Sequence, residues 1–333
     1  MKSFFKLVAG AGLAISLMGT AGTATAAQTL RFTSQLPAKH VLGQNIEAFR
    51  TLVEERSKGE LKIEIYDSGQ LYKGNEVPQA VSSGAIDMGI VELGVYGGTV
   101  PAAGAFAVPF LFPSDEAIRK ATSPDNAVRK GIDNAILETG ARVIWWQAYG
   151  AVQMLSKKGP IRSPADLKNK KVRVLSKPIG SFIDDVGGVP IVIDGAEQVL
   201  AYQRGTVDVG MSGTTATQSR HMYEVMDYIT MTNHSAVEFL VIMNDKSWNK
   251  LSPELQDIVM QSAREVETEL RNSVEQQNLD AKTFLQNETS MEVVDLTPEE
   301  IEAWRKAAEP TMKRFAEESG ELARQVVEAA LAQ

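Results

Sequence analysis

"KKVRVLSKPIG", Lys170 to Gly180, alternates as a strand does. Val172 and Val174 point one way; Lys171, Arg173 and Leu175 point the other. Two valines on one side imply a core beneath the strand. An arginine in the middle of such a strand is out of place, because a guanidinium cannot shed its proton to escape burial. It needs an anion, or it carries a desolvation cost of several kcal/mol. Two readings follow. Arg173 is half of a structural ion pair, with Asp184 or Asp185 as its partner, or its anion arrives from outside the chain.

Working outward, the same grammar repeats. Just upstream, "SPADLKN" starts a short helix, with Ser163 as N-cap, Pro164 at N1 and Asp166 at N3. Downstream, "VPIVI" reads as a strand, "AEQVLAYQRG" as a helix and "VDVGMSG" as a strand. The first half runs alike. "QTLRFTSQLP" is a strand, and "VLGQNIEAFRTLVEERSKG" is a helix stopped by Gly59. "ELKIEIYDSG" is a strand with Leu61, Ile63 and Ile65 inward. "NEVPQAVSSGAIDMGIVEL" gives a helix then a strand, and "ARVIWWQAYG" a further strand. Strands alternating with helices predict an α/β fold with a largely parallel sheet. The length predicts two lobes of about 150 residues each.

The C-terminal third is helical. Ser252 and Pro253 open a segment with no glycine or proline from Glu254 to Thr289. Unbroken, it would be about 54 Å long, more than one lobe is wide. It must break or cross both lobes. Thr297, Pro298 and Glu300 start a second helix, which Pro310 should kink and Gly320 should end.

Composition narrows the function. Lys2 and Lys6, an apolar run from Leu7 to Met18 and "ATA" at Ala24 to Ala26 read as a signal peptide, residues 1–26, cleaved after Ala26. The chain has no cysteine, which excludes thiol catalysis, disulfides and Cys-ligated metal. Export without disulfides suits a bacterial periplasm. The formal net charge is −8, with no basic run and no basic–aromatic interleaving, so nucleic acid is not an expected partner. The histidines, His40, His221 and His234, lack metal-ligand spacing and read as structural. No H-E-x-x-H, P-loop or G-x-S-x-G is present, and "GMSG" at Gly210 lacks the setting of a nucleophile elbow. No enzyme and no cofactor are expected.

These stretches together resemble the solute-binding proteins of TRAP transporters, DctP type, from about Leu30 to the C-terminus. "GQL" at Gly69 with "VSSGAIDMGIVELG", "VPFLF" at Val108, "SPADLKNKKVRV", "DDVGGVPIVIDGAEQVLAYQRGTVDVG" and "MTNH" at Met231 carry the resemblance. It implies a two-lobe periplasmic-binding-protein (Venus-flytrap) fold with a long helix crossing both lobes. Lobe one would be 27–149 plus 238–277, and lobe two 150–237 plus 278–333. It further implies capture of a small organic acid by a monomer, and delivery to the membrane permease subunits of an ion-gradient-driven transporter.

The resemblance makes Arg173 the carboxylate ligand. Glu92 falls on a ligand-contacting acid, Gln35 on a polar contact from the first strand, and Ser212 on a position that is often asparagine. Three departures stand out. A second arginine is common where this chain has Gln153. "DGQEN" reads "DVGMS", and an aromatic position reads Gly195. With one charge clamp missing, the expected ligand has one anionic group and more bulk, aromatic groups included, near Trp145, Trp146 or Tyr149. Trp145 and Trp146 point to opposite strand faces, so at most one lines a cleft; Trp146 is the one assigned. Two alternatives remain: a ligand-presenting sensor partner, and a periplasmic enzyme on the same scaffold.

Overall fold

The computed structural model describes residues 27–112 and 114–331. The predicted signal peptide lies outside the described residues. β1 (Gln28–Thr33), α1 (Val41–Arg56), β2 (Leu61–Tyr66), α2 (Val77–Ser83) and β3 (Met88–Glu92) open the chain. Two 3-10 turns follow, Leu93–Gly98 and Pro101–Ala107, then α3 (Asp115–Ala121), α4 (Ala127–Leu137) and the long strand β4 (Ala141–Ser156). The second half starts with β5 (Lys171–Val174), α5 (Lys177–Asp185), β6 (Val189–Val192), α6 (Gln198–Arg204), β7 (Val209–Gly213) and α7 (Thr214–Ser219). It continues through β8 (Tyr228–Met231), β9 (Ala236–Asn244), α8 (Asp245–Trp248), α9 (Pro253–Glu288), β10 (Glu292–Asp295), α10 (Pro298–Glu318) and α11 (Gly320–Leu331).

The local signals explain most of these boundaries. Ser163 N–H donates to the Asp166 carboxylate at 2.7 Å, the reach-back half of a capping box. Ser252 Oγ accepts from Leu255 N–H at 3.2 Å and starts α9. Val172 and Val174 are fully buried, as their alternation requires. α10 stays helical through Pro310.

The strands run in the order β2-β1-β3-β9-β4-β7-β5-β6, with β8 beside β4 and β10 beside β8. β1 is parallel to β2 and β3, and β5 is parallel to β6 and β7. β4 and β9 run antiparallel through the middle. β4 belongs to both halves: it pairs with β9 as far as Ala151, then with β7 and β8 from Val152 onward. Its ladder with β9 shifts register twice, the second time between Ala148 and Gly150, where Gly150 has φ +96. An extra residue there bends and twists the strand at the crossing.

α9 is one unbroken helix of 36 residues. It packs on α1 in the first half and on α7 in the second. Two buried ion pairs fix it. Arg129 of α4 grips Glu267 with both terminal nitrogens, and Arg271 of α9 grips Glu238 of β9 at 2.6 and 2.7 Å. α11 returns the chain to the first half, against α4 and the Pro101–Ala107 turn.

The apolar core forms two clusters. One gathers Phe32, Phe49, Trp145, Val172, Val174 and Val241; the other gathers Val91, Phe106, Ile132, Trp146 and Leu240. The first half of the sheet is thus covered on both faces.

Candidate binding site

In α/β sheets, ligands sit beyond the carboxyl ends of parallel strands. Here two sets of such ends meet. β1 leads to Gln35 and β3 ends at Glu92; β5, β6 and β7 bring Arg173, Gly195 and Ser212 from the other side. Gly195 N–H donates to Gln35 Oε1 at 3.2 Å, and Gly74 N–H donates to Asp194 Oδ2 at 2.7 Å. Lys73 pairs with Glu197 at 2.6 Å, and Lys39 Nζ lies 2.7 Å from His221 Nε2. The two halves are therefore in contact across the crevice.

Arg173 is only 3 % exposed. Its Nε donates to Ile193 O at 3.0 Å and its Nη1 to Met211 O at 2.5 Å. Both acceptors are backbone carbonyls, so no charge is neutralised. Asp185, the partner an ion-pair reading would need, is held by Arg314 at 2.9 and 2.7 Å and by Thr311. Asp184 is exposed. Two other buried arginines, Arg129 and Arg271, are paired with carboxylates. Among the described residues Arg173 has no such partner.

Glu92 is 4 % exposed, and its Oε1 accepts from Gly94 N–H at 2.8 Å. Burial pushes its carboxyl up to about 7, partly offset by that hydrogen bond and by the nearby Arg173. Ser212 Oγ lies 3.4 Å from Tyr149 Oη, which accepts from Gly213 N–H at 2.9 Å. His40 stacks on Tyr149 with ring centroids 5.8 Å apart. Its Nδ1 accepts from Leu42 N–H at 3.1 Å and caps α1. Burial and the charge of Arg220 hold it down to about 3, so it is neutral at physiological pH.

The fold brings Arg173, Glu92, Gln35, Gly195 and Ser212 to this crevice. Gln153 stands directly opposite Ser212 in the β4–β7 ladder. Its amide is tied to Asn233, donating to Oδ1 at 2.7 Å and accepting from the backbone N–H at 3.0 Å. It also lines a separate cavity of about 580 Å³ with Phe110, His234 and Arg271. Trp146 is a correction. It is fully buried, its indole N–H donates to Asp133 Oδ1 at 2.8 Å, and Phe106 meets it edge-on at 5.5 Å. Alternation puts Trp145 and Trp146 on opposite faces, one in each core cluster. Helices or turns cover both faces here, so both rings are core.

One residue escaped the sequence reading. Arg220 follows α7 and donates from Nη2 to the Gln35 carbonyl at 3.0 Å. Its Nε is buried with no hydrogen-bond partner among the described residues. Burial, together with Arg173, lowers its pKa to about 10, so it keeps its proton at neutral pH. Position 153 is glutamine, and Arg220 places a guanidinium beside Gln35 from a different element.

Two α/β halves share a strand, and between them lie two arginines that make no ion pair among the described residues, an arrangement that fits a two-lobe binding protein. The chain belongs to the DctP family, bacterial extracellular solute-binding protein, family 7, which it matches over residues 32–319. It is similar to the 2,3-diketo-L-gulonate-binding periplasmic protein YiaO of Escherichia coli, with 29% identity over 259 residues, 76% of this chain and 77% of that one. The sialic acid-binding periplasmic protein SiaP of Vibrio cholerae is 25% identical over 308 residues, covering 91% and 93%. Among solved structures, the sugar acid binding protein DctPAm of Advenella mimigardefordensis, in complex with galactonate, superposes with a TM-score of 0.87. It is 23% identical, over 92% of this chain and 98% of that one.

Proposed function

We propose that this chain captures a small organic acid between its lobes in the periplasm and hands it to the membrane permease subunits of a TRAP-type transporter. It acts as a monomer, catalyses no reaction and needs no cofactor. Residues 1–26 are the export signal. Lobe one is 27–149 plus 238–277, and lobe two is 150–237 plus 278–333. The ligand carboxylate pairs with Arg173, while Gln35 and Glu92 approach from lobe one on closure. Only the closed form makes both sets of contacts, so the ligand favours closure.

One observation carries this reading: a buried guanidinium spent on two carbonyls, at the carboxyl ends of parallel strands, that makes no ion pair among the described residues. Arg173→Ala should weaken binding of whichever organic acid the wild type takes by about 2–5 kcal/mol, roughly thirty-fold to several thousand-fold. Arg173→Lys should also lose heavily, because a point charge cannot make the paired fork. Ligand-free stability should change by less than the about 3–5 kcal/mol of a broken buried ion pair, because an uncompensated buried charge goes as two carbonyls lose their donor. Calorimetric titration and urea unfolding on the same variants decide. Unchanged affinity with collapsed stability would rule out the ligand role.

A further inference from the structure

We propose that the cavity of about 580 Å³ behind β4 is a second ligand site, taking a small neutral molecule with an apolar body and a hydroxyl group, and that filling it tightens the hold on the acid in the crevice. The coupling rests on the binding function proposed above; the site does not. Tyr149 turns its hydroxyl toward Ser212 in the crevice, whereas its neighbours Ala148 and Gly150 line the cavity. The two spaces therefore lie on opposite faces of β4. The volume falls within the about 300–1,000 Å³ of small-molecule sites. β4 at Gly150, the segment between β8 and β9, and α9 each pass from one half to the other. All three line this cavity, through Gly150, through Thr232 to Ser235, and through Val274 and Asn278. An occupant touches connections that must move when the lobes part, so it binds the two states unequally.

The lining sets the chemistry. Two buried polar atoms belong to residues that line the cavity and have no hydrogen-bond partner among the described residues: Nε2 of His234 and Oδ1 of Asn278. His234 is fully buried, its Nδ1 lies 2.7 Å from Thr232 Oγ1, and burial keeps the ring neutral. The Asn278 amide nitrogen donates to the Val274 carbonyl at 2.9 Å and the Tyr149 carbonyl at 3.4 Å, which leaves Oδ1 to accept. A hydroxyl both donates and accepts, so it serves either atom. A carboxylate has no proton to donate and would meet Oδ1 oxygen to oxygen. The charges point the same way. Arg271 is paired with Glu238, and Lys282 with Asp295. The charged lining residues left over, Asp115, Arg119, Glu275 and Arg305, are two of each sign, and Arg305 lies over the Phe110 ring at 5.2 Å. No net charge remains to hold an ion, in contrast to the crevice with Arg173 and Arg220. Phe110, Leu111, Ile118, Val237 and Val274 supply apolar wall. Apolar walls with a few placed polar groups suit a neutral, hydroxylated guest.

The test uses the mature protein, with and without an organic acid that thermal shift shows to bind. The probe is benzyl alcohol; toluene, benzoate and benzylammonium are its apolar, anionic and cationic counterparts. With the crevice filled by the acid, calorimetry should show one saturable site for benzyl alcohol. Its affinity should exceed that of any counterpart about ten-fold, the gain from one hydrogen bond to an otherwise unpaired buried atom. Amide shifts in magnetic resonance spectra should cluster at Met231 to His234 and Val274 to Leu279. Val274→Trp, which fills the space, should abolish binding, and Asn278→Leu should bring benzyl alcohol down to toluene. Urea unfolding confirms that each variant is folded; Asn278→Leu, which keeps the volume, decides alone if Val274→Trp does not fold. Saturating benzyl alcohol should tighten the acid about five-fold or more, and the acid should tighten benzyl alcohol by the same factor. No saturable binding of any probe means that water alone fills the cavity; that overturns the site, while acid binding still upholds the transport reading. Shifts confined to the crevice, or equal affinity for benzyl alcohol and toluene, overturn the site as well. Cavity binding with unchanged acid affinity overturns the coupling. Cavity binding in a protein that takes no acid upholds the site and overturns the binding function.

Discussion

Glu92 shows how a single buried group makes the site respond to pH. Its carboxyl lies at about 7 in the folded chain against an ordinary 4.5. An acid raised on folding holds its proton more tightly in the native state. Its contribution to stability is complete below about pH 4.5 and is lost as pH rises through about 7, a change of about 3 kcal/mol. His40 and His234 act in the opposite sense. Both sit near 3 in the folded chain, so their contribution is present above the ordinary value of 6.5 and is lost as pH falls toward 3. The difference between wild type and Glu92→Gln cancels the histidines. Relative to wild type, the variant should gain about 3 kcal/mol in unfolding free energy between pH 4.5 and 8. A difference that stays constant across that range would mean Glu92 is ionised in the native state. Some of this chemistry was legible at residue scale. Arg173 was, because a charge inside a valine alternation contradicts its own strand. Arg220 was not: its meaning depends on a carbonyl 185 positions away. Trp146 was half legible, since alternation gives the face but not what covers it.

At the scale of elements, α9 is held by charge as well as by apolar contact. Glu267 accepts both terminal nitrogens of Arg129, and its Oε2 lies 3.4 Å from Trp146 N–H. Removing one member of a buried pair leaves the other uncompensated. Glu267→Ala should therefore cost about 3–5 kcal/mol in urea unfolding. Arg173→Ala, equally buried, breaks no ion pair and should cost less, although two carbonyls lose their donor. A small effect at Glu267 would mean that apolar packing alone seats the helix. Caps and alternation made α1, α2, α6, α9 and α10 and the strands β1 to β3 and β5 to β7 readable, but not α3, α4, α5, α7, α8 or α11. β9 was not readable, because "AVEFLVIMN" is buried at eight of its nine positions and so shows no alternation. In the sequence β4 is legible only to Gly150, a residue that usually breaks a strand. A positive φ at a bulge lets it continue to Ser156. β8 and β10 have four residues each, too few for a period to declare itself.

At the scale of the molecule, the polar contacts across the crevice are weak, while α5 of the second half packs on the Leu93–Gly98 and Pro101–Ala107 turns of the first. Lys73 and Glu197 are each nearly half exposed, and such a pair contributes about 0–1 kcal/mol. The Gln35–Gly195 and Gly74–Asp194 hydrogen bonds add modest net terms. Against them stand two like charges, Arg173 and Arg220, brought to one place. Without a counter-ion the closed arrangement is poorly favoured; with one, the repulsion becomes attraction. Moving the population from one in a hundred closed to ninety-nine in a hundred takes a closed form that binds about 10⁴-fold more tightly than the open one. The connections that must yield are β4 at its Gly150 bulge, the segment between β8 and β9, and α9. α9 has no glycine or proline inside it, so its motion is a gentle bend or a slide against α1 and α7 rather than a sharp kink. Small-angle scattering at saturating ligand should reproduce the profile calculated from this closed arrangement. Ligand-free protein should give a larger radius of gyration, and Arg173→Ala should stay at the larger value when the same acid is added at the same concentration. Identical profiles with and without ligand would mean a preformed, rigid crevice, with the arginine repulsion absorbed in place.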